Sequence, residues 1–128
     1  MAIYFYLKIA GQAHNDESLK MSLINLIDTA QALPQAWKSS VLSQLGNAQF
    51  KVLRMDEAAY AAEFHSFSEV LLVIDGQLNL MIDAQLITVK MGQAYIVPAN
   101  KPHSVAQGSF GTLVILDGIE PQLPNNQA

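Results

Sequence analysis

Two histidines and two glutamates fall at spacings that could gather four metal ligands. Glu63 and His65 are separated by a single residue, so both side chains project from the same face if this segment is a β-strand. Glu69 follows after the short segment 66–68 and can rejoin the other two. Two carboxylates and one imidazole would then converge on one point.

His103 is the second histidine of this group, and it stands directly after a stiff loop that begins at Pro98 and ends at Pro102. A neighbouring strand could bring His103 opposite His65, which would complete four nitrogen and oxygen ligands. Two histidines and one carboxylate on one face leave positions open for a substrate or dioxygen. The expected cofactor is a divalent metal ion, with iron or manganese favoured and zinc or nickel also acceptable.

A plainer interpretation of the same residues needs no metal. Buried histidines are often hydrogen-bonded to carboxylates or to the backbone, and His65 and His103 could be of that kind. Glu69 precedes the apolar run 70–74, where an unpaired buried charge would be costly, so it needs a partner, and a metal ion is one candidate. His14 lies in a polar segment without matching spacing and is given no role.

The elements that must position these residues are short strands. From Trp37 onward, apolar or alternating runs are separated by turn residues at intervals of roughly ten, a pattern typical of a β-barrel or sandwich. Asp75-Gly76 predicts a tight turn that closes a hairpin. The predicted strands are 41–45, 50–55, 60–64, 69–74, 78–82, 86–89, 94–97, 103–106 and 112–116.

The N-terminal part of the chain has a different pattern of apolar and polar residues. Residues 3–7 predict a strand, and a polar segment then offers a helix N-cap at Asn15, Asp16 or Ser18. One short helix is expected to follow and to end at Leu33-Pro34. Its apolar stripe consists of Leu19, Leu23, Ile24, Ile27 and Ala30. We therefore divide the chain into an N-terminal strand and helix packing on the barrel (1–35), the barrel (36–118) and a disordered tail (119–128).

Composition narrows the classes of function. The chain has 128 residues, a net charge of -4 and only 7 basic residues, so a nucleic-acid partner is not expected. It has no cysteine, which excludes disulfides and thiolate chemistry. No apolar run is long enough for a membrane span, and we expect a cytoplasmic protein. The hydrophobic content of 51% against 14% charged residues favours a buried subunit interface, and we expect a homodimer.

The segment from Glu57 to Gln107 resembles the two motifs of the cupin superfamily. The first motif of that family runs Gly, five residues, His-x-His, three or four residues, Glu, six residues, Gly; here His65, Glu69 and Gly76 keep the spacing. In the second motif, Gly92, Pro98 and His103 fall in register. Trp37 and the two strands before the motif also look like the lead-in of small single-domain cupins.

Four positions depart from the family pattern. Glu63 stands where the family has its first metal-binding histidine, and Glu57 stands where the first motif opens with glycine. Asn100 and Gln107 replace the glycine and asparagine of the second motif. Asn100 is a mild change because asparagine tolerates the left-handed backbone conformation that glycine supplies. Glu63 can still bind a hard divalent ion as a weak ligand.

The resemblance implies an all-β fold, an antiparallel double-stranded β-helix or jelly-roll barrel. It also implies His65, Glu69 and His103 as metal ligands. Because Glu63 departs from the family pattern, we expect it to be a weak fourth ligand or to be free to act as a catalytic general base, and we expect no organic cofactor. Three functions stay open: a metal-dependent oxygenase or isomerase of a small molecule, a non-catalytic binding barrel with a degenerate metal site, and an interaction module that mainly builds a dimer. The aromatic residues Phe64, Phe67, Tyr60 and Tyr95 either line a ligand pocket or fill the barrel interior.

Overall fold

The computed structural model describes residues 22–119. A short helix, α1, spans Leu26–Gln31. Eight strands follow it: β1 (Ser40–Leu45), β2 (Ala48–Met55), β3 (Tyr60–Glu63), β4 (Glu69–Ile82), β5 (Gln85–Lys90), β6 (Ala94–Val97), β7 (His103–Val105) and β8 (Phe110–Gly118). The predicted strand at 3–7, the three candidate N-caps and most of the predicted tail lie outside the described residues, so the division of the chain into 1–35, 36–118 and 119–128 stays a prediction.

All of the strand pairs are antiparallel, and together they form one curled sheet. Its hydrogen-bonded order is β1-β2-β8-β4-β7-β3, and β5 and β6 also pair with β4. The all-β, antiparallel barrel implied by the motif resemblance is confirmed.

Strand β4 holds the barrel together because it pairs with four other strands. It contacts β8 along residues 69–77, β6 along 69–72, β5 along 77–82 and β7 at 80–81. The tight turn predicted at Asp75-Gly76 is wrong, since the strand runs through both residues. Gly76 has a φ of 83°, and the register with β8 shifts between Val73 and Asp75. The glycine therefore bends a continuous strand around the barrel instead of reversing it.

Apolar side chains cover both faces of the central strands. Leu53, Leu71 and Leu113 point into the barrel and belong to its main core. Their neighbours Val52 and Val114 point outward and pack with Ala30 of α1. This two-sided burial explains the apolar strand sequences, since a strand covered on one side only would alternate apolar with polar residues.

Helix α1 is shorter than the apolar stripe predicts. Asn25 has an extended backbone, and its side-chain oxygen accepts a hydrogen bond from the backbone N–H of Asp28 at 2.9 Å. Asn25 is therefore an N-cap, and the predicted continuous helix from Leu19 to Ala30 is wrong at this point. The predicted end is confirmed, because Ala32 is the C-cap, just before Leu33-Pro34. Within 22–119, no helix is both long and apolar enough to span a bilayer.

Gly76 offers a sharp test of the barrel's construction. A Cβ atom on Gly76 would overlap the carbonyl oxygen of Phe110 on β8, whereas one on Gly92, at nearly the same φ, would meet open space. We expect Gly92→Ala to lower the free energy of unfolding by about 1–2 kcal/mol, the cost of a left-handed alanine. Gly76→Ala adds a backbone clash, and we expect a loss above about 4 kcal/mol. Urea denaturation of both variants measures this; equal losses would contradict the proposed close crossing.

Candidate functional site

The candidate site lies where the first residues of β4 and β7 meet the end of β3. Glu63 ends β3, and its register partner on β7 is His103. Glu69 opens β4. The expected placement of His103 opposite His65 is therefore wrong by two residues, because β3 ends at Glu63 and His65 lies beyond the paired segment. The two histidines still approach each other, with ring centroids 6.1 Å apart.

A backbone hydrogen bond links the segment of His65 to the loop before His103. The N–H of Asn100 donates to the carbonyl oxygen of His65 at 2.6 Å. Asn100 has a φ of 64°, so the prediction that it occupies the left-handed conformation of the family's glycine is confirmed. This bond fixes the backbone of one histidine against the loop that carries the other.

Three of the predicted ligands form a compact group. One ligand atom each from Glu63, His65 and His103 lies within 4.8 Å of the other two. The side-chain exposure falls from 63% at Glu63 through 29% at His65 to 5% at His103. The Glu63 carboxylate approaches His65 Nε2 only to 3.7 Å. The group therefore extends from solvent at Glu63 to the barrel interior at His103.

Glu69, the fourth predicted ligand, contacts His103 directly. Its Oε2 lies 2.8 Å from His103 Nε2, and both side chains are buried, with 7% and 5% exposed. His103 Nδ1 lies 3.0 Å from the carbonyl oxygen of Lys101, which can only accept, so Nδ1 carries a hydrogen. Without an ion, the close contact of Nε2 with Glu69 requires a further proton between the two atoms. A metal ion would take the place of that proton, because it binds the bare nitrogen and the carboxylate oxygen.

Burial sets the electrostatics of Glu69. Desolvation raises the pKa of Glu69 above its ordinary value of 4.5. The nearby imidazoles of His103 and His65 oppose this rise, and the negative charges of Asp117 and Glu63 reinforce it. Burial therefore favours the neutral, protonated form of this carboxyl over the charged form.

These four residues border a cavity of about 650 Å³ inside the barrel. Of the aromatic residues considered from the sequence, Tyr60 and Phe67 line it, and Phe67 stacks on His65 with centroids 5.0 Å apart. Phe64 is exposed to solvent, and Tyr95 packs against the main core instead. The cavity is large enough for a small-molecule ligand.

The cavity residues that the sequence interpretation did not identify include Trp37, Gln49, Lys51 and Asp117. Trp37 packs on Tyr60 with ring centroids 5.2 Å apart, and its indole N–H donates to Asp56 at 2.8 Å. Lys51 and Asp117 form an ion pair of 2.7 Å on neighbouring strands. Lys51 lies two residues before the apolar Leu53, so alternation along β2 places both side chains on its inner face. This alternation is the sequence signal that could have identified Lys51 as a cavity residue.

The donor set fits a divalent transition ion. Two imidazole nitrogens and two carboxylate oxygens suit iron, manganese, zinc or nickel. The second nitrogen of His103 is held by a backbone carbonyl, as is usual for a metal-binding histidine. His14 lies outside the described residues.

Comparison with known families and structures agrees with the motif resemblance. The model of the cupin domain matches residues 52–118, just over half of the chain. No curated protein sequence matches significantly. A cupin-2 domain protein of Shewanella frigidimarina is similar, with a TM-score of 0.71 and 22% identity over 79% of this chain and 99% of that one.

Two further solved structures have the same fold. A protein of Neisseria meningitidis has a TM-score of 0.66 and 20% identity over 76% of this chain and 99% of its own. A protein of Ralstonia eutropha, described as a candidate mannose-6-phosphate isomerase, has a TM-score of 0.65 and 15% identity over 75% of this chain and 96% of its own. Identities this low establish a shared fold and carry no activity across.

The raised pKa of Glu69 makes the stability of the metal-free protein depend on pH. Between 4.5 and the higher pKa in the folded state, the folded protein binds more protons than the unfolded chain, so the stability that Glu69 contributes falls as pH rises through this window. Glu69→Gln cannot titrate. We therefore expect the stability of the wild type relative to Glu69→Gln to fall as pH rises above 4.5. Urea denaturation with a chelator present measures this; a relative stability that rises with pH would contradict it.

Proposed function

This chain belongs to the cupin family, and from that premise we propose that it is a metal-dependent cupin that acts on a small molecule within its barrel. The observation that carries the proposal is the buried contact between His103 and Glu69 beside His65 and Glu63, at the wall of a cavity of about 650 Å³. Cupin membership alone leaves activity open, because proteins of one fold differ widely in function.

In this proposal, His65, His103 and Glu69 hold a divalent ion. Each histidine would offer its Nε2, because that nitrogen faces a carboxylate in both residues. The donor set favours iron or manganese, and zinc and nickel also fit it. The ion would supply Lewis-acid or oxygen-activating chemistry, appropriate to an isomerase or an oxygenase.

Glu63 has a separate proposed role as general base. Its side chain is largely exposed, in contrast to Glu69, and it stands 3.7 Å from His65. A carboxylate at the border between cavity and solvent can take a proton from a bound molecule and pass it to water. Glu63 would then be a weak fourth ligand at most.

The alternative is a non-catalytic cupin that binds a small molecule without turning it over. The observation that favours it is Glu63 itself, which occupies the position of the family's first histidine and lies mostly in solvent. In this alternative the metal site is degenerate, and Glu69 and His103 remain a proton-sharing pair. The homodimer and the cytoplasmic location both stay predictions.

Metal content distinguishes the two functions. We expect about one divalent ion per chain in the wild type, because His65, His103 and Glu69 border the same end of the cavity and are proposed to share one ion. His65→Ala and His103→Ala should each reduce the content to below about a tenth of that value, since each removes a nitrogen ligand. Elemental analysis after purification measures this. His14→Ala is the matched control and should keep its ion; a metal-free but folded wild type would favour the binding protein.

The two glutamates should differ in their effect on metal affinity. Glu69→Gln removes a buried ligand, and we expect a loss of affinity of more than about a hundredfold. Glu63→Gln removes an exposed side chain, and we expect a loss within about tenfold. Competition against a fluorescent chelator gives both values. Equal losses would make Glu63 a full ligand, which is incompatible with its role as a base.

A further inference from the structure

Lys51 and Asp117 form a second polar site in the cavity, separate from the four proposed metal residues. Lys51 Nζ lies 2.7 Å from Asp117 Oδ2, and their side chains are 18% and 5% exposed. Both residues line the cavity, on the neighbouring strands β2 and β8. An ion pair that is mostly buried costs desolvation energy, and replacing such a pair with apolar residues is often neutral for stability. Stability alone therefore does not explain the presence of this pair in the cavity wall.

The hydrogen bonding of this pair is incomplete. Asp117 Oδ1 is buried and accepts no hydrogen bond from any residue in the range 22–119. A buried charged oxygen without a donor costs at least about 1–3 kcal/mol. Lys51 carries three N–H donors, and Asp117 is its ion-pair partner in the same range. The pair thus presents an acceptor without a donor, Asp117 Oδ1, beside the N–H donors of Lys51.

The pair also adjoins the proposed metal site. Asp117 on β8 is the direct register partner of Glu69 on β4. Side chains of directly opposite residues leave the same face of the sheet, with Cβ atoms about 5 Å apart. One small molecule can therefore contact the Lys51–Asp117 pair and the proposed metal site at the same time.

We propose that Lys51 and Asp117 bind a hydroxyl group of the ligand. A hydroxyl accepts from the ammonium through its oxygen and donates to Asp117 Oδ1 through its hydrogen. A carboxylate could only accept and would be repelled by Asp117, and an ammonium could only donate and would be repelled by Lys51. The ligand class is thus a small hydroxylated molecule, such as a hydroxy acid, whose other oxygens face His65 and His103. This assignment rests on the proposed function and narrows its substrate class, while the hydroxyl contact itself involves none of the metal ligands.

Pairs of compounds that differ by one hydroxyl test the assignment. Malate against succinate and 3-hydroxybutyrate against butyrate would be titrated into ¹⁵N-labelled protein and followed by NMR, which detects weak binding. A hydrogen bond to a charged group predicts that the hydroxylated member binds at least about tenfold more tightly. Equal binding within each pair, or no binding of any hydroxylated probe, would overturn the proposal. Equal binding is also the result expected if an ordered water molecule, instead of a ligand hydroxyl, bridges Lys51 and Asp117.

A double variant shows whether the preference arises at this pair. Lys51→Met together with Asp117→Leu replaces the ion pair with apolar side chains of similar size, and we expect the hydroxyl preference to disappear. Lys90→Met with Asp28→Asn changes the same charges at exposed positions and should keep the preference. A preference that survives in the first double variant would overturn the assignment.

Metal content of the same samples separates this proposal from the proposed function. The first double variant should keep its ion, because it leaves all four metal residues in place. A wild type that discriminates between the paired compounds without any metal would contradict the metal-dependent function and support the hydroxyl site. A wild type that holds metal but binds both compounds of each pair equally would contradict the hydroxyl site and support the metal-dependent function.

Discussion

The contact between His103 and Glu69 constrains the rest of the site. Both side chains are almost fully removed from water, and one proton or one cation must lie between them. Both residues have well-defined positions because each is the first residue of a strand, Glu69 in β4 and His103 in β7. Main-chain hydrogen bonding fixes both positions, and the Lys101 carbonyl fixes the tautomer of the imidazole. The neighbouring His65 and Glu63 then determine whether the site holds a proton or a metal ion.

The two faces of the barrel wall have different roles. Outward-facing residues of β2, β4 and β8 pack under α1, while inward-facing residues of the same strands build the core and the cavity. Polar residues interrupt the inner face at Lys51, Glu69 and Asp117, all of them cavity residues. The cost of burying them is offset where they pair, and the oxygen of Asp117 that remains unpaired indicates where a ligand group belongs.

Sequence reasoning succeeded where the signal was local. The strand at Ala94–Val97 and the left-handed Asn100 were both predicted, because alternation and turn chemistry act over a few residues. It failed at Asp75-Gly76, whose dipeptide looks like a hairpin turn although the glycine only bends a strand against Gly111. That close approach involves a residue far away in the chain, and no local pattern reveals it.

The same limit applies to the site. Motif spacing predicted His65, Glu69 and His103, and the structure brings all three to one wall of the cavity. The partner of His103 across the strands, Glu63, could not be deduced, because register depends on where β3 ends. Lys51 and Asp117 were missed for a related reason. A charged residue within a strand is normally assigned to the solvent side, and the packing of α1 on the opposite face confirms what alternation with Leu53 only suggested, that Lys51 faces inward.

The gradient of exposure across the site has a consequence for kinetics. Glu63 stands in solvent, His65 is partly covered, and Glu69 and His103 lie inside. If the proposed ion binds, Glu63 would be the residue most open to it from solvent, whereas Glu69 and His103 would hold it where water has least access. The residence time of an ion would thus be governed by the buried pair, and its rate of capture by the exposed glutamate.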